Sequence, residues 1–163
     1  MRGSYILAGA AAAALLALAG CASSGTSNRR ATLLVTMTGL QEVPGPGDAD
    51  GSGTAEIRVI PADSQICWNL YARGIDAATA AHIHRGAAGA APDMPFVLRL
   101  TTPDAAGRSQ GCATVDQRLA QELSLRAHEF YVNVHTAAYP AGAIRGQLRG
   151  GPANPRRIRE PGD

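Results

Sequence analysis

The 163-residue chain carries 15 basic and 13 acidic residues, a formal charge of +2, and only 4% aromatic residues. A near-neutral charge without a basic cluster excludes nucleic acid as a partner, and also a polybasic membrane contact, since both need concentrated positive charge. Every basic residue is Arg, which excludes Lys chemistry such as a Schiff base or a P-loop. With 19 Gly, 10 Pro and little helical periodicity, the composition favours one loop-rich β domain over a helical bundle.

The chain opens with an address. Arg2 supplies a short positive region, residues 6–18 form an Ala/Leu-rich apolar run, and small residues lead into Cys21. That run is shorter than the roughly 20 apolar residues a membrane span requires. The tetrad Leu18-Ala19-Gly20-Cys21 resembles the lipobox of bacterial lipoproteins, in which the chain is cut before the Cys and the thiol is acylated. The resemblance implies a signal peptide over residues 1–20, a lipid anchor at Cys21 and an extracytoplasmic domain. Ala22 is not the Asp that marks inner-membrane retention in enteric bacteria, so the expected location in a Gram-negative cell is the periplasmic face of the outer membrane. Residues 21–30 are small and polar, as expected of a flexible tether. With Cys21 committed to lipid, Cys67 and Cys112 remain. In an oxidising compartment a disulfide is the default for them, and a pair of thiolate metal ligands is the alternative.

Strands are expected over residues 31–40, 54–61, 65–73, 80–84, 96–101, 130–136 and 143–149, separated by Gly, Pro and Asp turns. In residues 65–73, Ile66, Trp68 and Leu70 alternate with Cys67, Asn69 and Tyr71. The stretch 116–126 is a helix former, with Leu119 and Leu123 one turn apart as core residues. Thr114 stands three residues before Gln117 at capping-box spacing. The tail, residues 150–163, offers nothing to bury and is expected to be disordered. These elements compose an all-β domain, an antiparallel Greek-key or immunoglobulin-like β-sandwich with one short helix, over residues 31–149.

Three of the four His stand out. His82 and His84 are two apart on a strand and share a face, with Ile83 pointing to the core between them. His135 lies near the end of another strand. Where those strands are neighbours the three imidazoles converge; such a set suits copper, zinc, nickel or iron and leaves a coordination position open. The competing reading is structural, with each ring bonded to backbone or to a carboxylate. His128, at the helix end, is left out of the site. Ser52 lacks the pattern of a nucleophile elbow, and the acidic turn at Asp48 and Asp50 lacks the rest of a calcium loop. The carboxylates offer no acid–base pair, which makes an enzyme the less favoured class. Tyr131 and Tyr139 are expected as surface contacts.

Four stretches resemble the CHRD domain, the module named after chordin. Gln41-Glu42-Val43-Pro44 is similar to its opening motif, and residues 80–86 (AAHIHRG) to its central His-x-His-x-Gly motif. Residues 131–136 (YVNVHT) and 140–148 (PAGAIRGQL) are similar to its closing strands. Ala143 departs from the acidic residue usual before Ile-Arg-Gly, so any carboxylate pairing with Arg145 from that position is absent. The resemblance implies a β-sandwich in which Gln41, Glu42, Asn133 and Arg145 are motif residues. The His pattern also resembles the copper half of copper/zinc superoxide dismutase, which implies His82, His84 and His135 as copper ligands and places Cys67 and Cys112 at loop-to-strand positions. The bridging and zinc-binding His of that enzyme have no counterpart here. Two functions are expected: a lipid-anchored, non-catalytic binding or structural module of the cell envelope with a protein partner not specified, or a periplasmic copper-binding protein with at most weak redox activity.

Overall fold

The computed structural model describes residues 28–91 and 96–150; the leader, Cys21, most of the tether and the tail beyond Gly150 lie outside the described residues. The strands are β1 (Ala31–Thr38), β2 (Ser52–Ile60), β3 (Gln65–Arg73), β4 (Ala78–Arg85), β5 (Leu98–Leu100), β6 (Arg108–Thr114), β7 (Phe130–Thr136), β8 (Ile144–Gln147) and β9 (Arg149–Gly150). One helix, α1 (Gln117–Leu125), stands between β6 and β7. The fold is all-β with one short helix, as expected.

The strands pair antiparallel in a single order, β5-β4-β7-β8-β1-β2-β3-β6, with β9 added to β1. Connectivity forces this sheet to curl. β3 and β4 stand seventh and second in the order, yet only residues 74–77 join them. Five flat strand spacings would be about 24 Å, whereas so short a link reaches at most about 17 Å. The two layers expected of a sandwich are therefore the two halves of one nearly closed sheet around a shared core.

The inner faces follow the alternation in the sequence. Leu33, Val35 and Met37 of β1, Ala55, Ile57 and Val59 of β2, and Ile66, Trp68, Leu70 and Ala72 of β3 are buried. Ile83 of β4, Val132 and Val134 of β7 and Ile144 of β8 meet them from the other half. Each large aliphatic side chain among them contributes about 1.5–3 kcal/mol by leaving water.

β6 was not expected, because Arg108-Ser-Gln-Gly-Cys-Ala-Thr holds no large apolar residue. The reason lies on its neighbour. The Trp68 indole covers the inner side of β6 and donates from Nε1 to Ser109 Oγ at 3.1 Å. A Cβ at Gly111 would come within 2.6 Å of that ring. Small residues are what the space allows. On the opposite face Cys67 and Cys112 are directly paired across β3 and β6 and form a disulfide. That meets the default expectation and removes the thiolate-ligand alternative. Both cysteines sit inside strands, not at loop-to-strand positions.

α1 lies near the expected span, with Leu123 fully buried and Leu119 packed beside the core. Its cap differs from expectation. Asp116, not Thr114, accepts from the amides of Arg118 and Leu119, while Thr114 is the last residue of β6. A carboxylate at that position also complements the helix dipole. The expected 143–149 strand is split: β8 pairs with β7 and touches β1 at Thr38, then buried Leu148 intervenes and β9 pairs with β1 alone.

Candidate metal centre

In β4, β7 and β8 the residues that alternate with the core positions form a continuous polar layer. His82 stands opposite Asn133 and His84 opposite Tyr131 across β4 and β7. Asn133 and Tyr131 are in turn opposite Arg145 and Gln147 across β7 and β8. The outer face of such a sheet ordinarily meets water. Here it is covered: Tyr131 is 1% exposed, Arg145 2%, Asn133 3%, and His82 and His84 8% each.

The cover comes from loops anchored by the same residues. Arg145 donates from its two terminal nitrogens to the carbonyls of Ala90 (2.8 Å) and Ala87 (2.9 Å), which ties down the loop after β4. Its guanidinium lies 3.5 Å from the centroid of the Tyr131 ring, and Tyr131 is stacked on His84 with centroids 4.9 Å apart. Phe96, arriving from the far end of that loop, stacks on His82 at 4.4 Å. Gln41 donates to the carbonyl of Thr36 and the hydroxyl of Thr38, fixing the turn after β1. The next residue, Glu42, is buried against Gly142, where any side chain would collide with its carboxylate.

Within this layer the three imidazoles converge. One ring nitrogen from each of His82, His84 and His135 lies within 4.8 Å of the others. His135 Nδ1 sits 3.0 Å from the carbonyl of Pro140; with the proton on Nδ1 the ring donates to that oxygen and Nε2 presents a lone pair. That Nε2 is 3.0 Å from His82 Nδ1 and 3.1 Å from Asn133 Oδ1, an acceptor with which a lone pair makes no hydrogen bond. His82 Nδ1–H then donates to His135, and the other nitrogen, His82 Nε2, is buried without a hydrogen-bond partner. Two nitrogens bound about 2.0 Å from a common ion are about 2.8 Å apart at a right angle and about 4.0 Å apart when opposite. The 3.0 Å pair already has ligand spacing.

The electrostatics keep the His82 and His135 rings neutral. Burial, reinforced by His135, His84 and Arg99, pushes the His82 pKa down to about 4. Burial lowers that of His135 as well, against the opposing pull of the Pro140 carbonyl. Neutral imidazoles are the form that ligates metal. Glu42 goes the other way: burial raises its carboxyl to about 7, although Arg145 and the Val43 amide oppose the shift. Burial likewise raises the Tyr131 hydroxyl.

The structure brings together all three candidate His and places Asn133 and Arg145 directly behind them. Gln41 and Glu42 hold the adjacent turn, and Cys67 and Cys112 lie on the other half of the sheet. Tyr131 is buried beside His84 rather than a surface contact. Phe96 and Pro140 were not singled out from sequence. Phe96 read as an ordinary strand residue, and a backbone carbonyl carries no sequence signal.

Fold and site together define a single-sheet, antiparallel β domain bearing a buried three-His cluster on its covered outer face. The CHRD domain family model matches residues 33–148, and the chain belongs to that family. No curated protein and no solved structure matches the chain significantly.

Proposed function

We propose that this chain is an extracytoplasmic CHRD protein, lipid-anchored at Cys21, that holds one copper ion with His82, His84 and His135 and performs no catalysis. The observation that carries the reading is the convergence of three ring nitrogens within 4.8 Å, with His82 and His135 at ligand spacing. Pro140 orients His135 by bonding its other nitrogen, the support that ligating His residues ordinarily have. Three imidazoles suit several first-row metals, copper among them. A bound ion would take the place of the proton shared by His82 and His135.

A second reading has its own observation. His82, His135 and Pro140 already bond in series, so the cluster can serve the fold of an envelope binding module without metal. Copper content and melting temperature of the full-length chain separate the two. For a metal site, His135→Ala abolishes stoichiometric copper and leaves the metal-free melting temperature nearly unchanged. For a structural cluster, it lowers the melting temperature while copper content stays at background in both proteins. Incorporation of labelled fatty acid, lost in Cys21→Ser, tests the anchor.

A further inference from the structure

The surroundings of the three rings discriminate between oxidation states of the metal. Among the described residues no carboxylate or thiolate joins His82, His84 and His135, so the donors bring no negative charge. Two cations stand against these rings, and the buried carboxyl of Glu42, which interacts electrostatically with Arg145, is held toward its neutral form by burial. Arg99 is directly opposite His82 across β4 and β5, and Arg145 lies over the Tyr131 ring that stacks on His84. Two of the three donors are more than nine-tenths buried. Transferring an ion from water into such a place costs in proportion to the square of its charge, and two neighbouring guanidinium groups repel a divalent ion twice as strongly as a monovalent one.

Coordination number acts in the same direction. Divalent copper favours a tetragonal shell with further oxygen or nitrogen donors, which water or an anion would have to supply. Phe96, itself 43% exposed, and the buried Tyr131 lay apolar ring faces on His82 and His84. Monovalent copper is satisfied by two or three nitrogen donors and needs no such addition.

Resting on the copper reading above, we propose that the three-His centre is selective for monovalent copper, and that Phe96, stacked on His82, is a specificity-determining residue that excludes the water a divalent ion needs. Selectivity arises from the environment of the donors rather than from the donors themselves, since free imidazole serves both ions.

The test measures affinity of the full-length chain for each ion separately. Monovalent copper is titrated anaerobically against a chromophoric chelator specific for it; divalent copper and zinc are titrated against chelators of their own. The wild-type chain is expected to hold monovalent copper about 100-fold or more tightly than either divalent ion. Phe96→Ala is expected to narrow that gap about tenfold by strengthening divalent binding, and Phe96→Leu, which keeps an apolar cover, to preserve it. Divalent copper or zinc bound as tightly as monovalent copper overturns this inference while leaving the copper site intact. An unchanged gap in Phe96→Ala overturns the role of Phe96. Absence of binding of every ion, with His135→Ala indistinguishable from wild type, overturns the underlying copper reading instead.

Discussion

The two halves of the sheet share one core but treat their outer faces differently. On β1, β2 and β3, Leu34, Glu56, Arg58, Asn69 and Tyr71 point outward and are exposed, the usual arrangement for an antiparallel sheet with one wet side. On β4, β7 and β8 the equivalent positions hold His82, His84, Tyr131, Asn133 and Arg145, all buried under loops. Polar groups in such a place must satisfy one another, which fixes their geometry. The outer face of the wet half is under no such constraint; the covered half is a second, polar core.

The sharpest way to break this comparison is a matched pair of Arg truncations. Arg145→Ala strands the carbonyls of Ala87 and Ala90 and empties the space over Tyr131, and is expected to cost about 3–4 kcal/mol in chemical denaturation. Arg58→Ala, on the exposed face of β2, is expected to change stability by less than about 0.5 kcal/mol. Equal effects would show that the covered face is no core at all.

Next in size is the Cys67–Cys112 bond, which staples the wet half across a separation of 45 residues. Replacing both cysteines with Ala is expected to lower stability by about 2–4 kcal/mol. Copper content should remain that of wild type, because the staple and the three His are on different halves. A smaller effect, about 1–3 kcal/mol, is expected for Gly111→Ala, whose new methyl group meets the Trp68 ring. The emission of Trp68, the only Trp in the chain, reports that displacement directly.

The finest test is pH dependence of the metal-free chain, in which two buried groups act in opposite senses. Glu42 ionises near 4.5 when unfolded but only at about 7 in the fold. As pH rises the unfolded state therefore loses its proton first, and Glu42 weakens the fold progressively between those values. His82 takes up a proton below 6.5 when unfolded but only at about 4 in the fold, so it weakens the fold as pH falls across that window. The two windows overlap, so the contributions oppose each other between about pH 4.5 and 6.5, and Glu42→Gln is expected to leave stability rising more steeply with pH across that range than in wild type, as read from denaturation midpoints between about pH 4 and 8.

The wet half was legible in the sequence because its alternation of apolar and polar residues is the solvent boundary itself. The same alternation in residues 130–136 identified β7 but not its surroundings. Polar residues at alternate positions look alike whether water or a loop covers them. Residues 82, 84 and 135 were legible as a group because spacing two apart fixes a common face and the family motif links the two strands. Their third dimension was not: the stacking of Phe96 and Tyr131, and the carbonyl of Pro140, depend on how the loops settle. β6 escaped notice since its partner, Trp68, supplies the bulk that a strand usually brings for itself. Asp116 displaced Thr114 as helix cap for a local reason: the strand runs through Thr114 and releases the chain only afterwards.

The distance along the chain between His82 and His135 has a temporal consequence. They are 53 residues apart, with β5, β6 and α1 intervening. A chain synthesised only through β4 carries the His-x-His pair and nothing to complete it. The trio comes into being only when β7 closes against β4, a long-range contact that carries the entropic cost of closing the intervening chain. The cluster is thus a record of that one pairing: a molecule in which β4 and β7 have not met, however much of the other half of the sheet it has formed, has no place where the three rings meet.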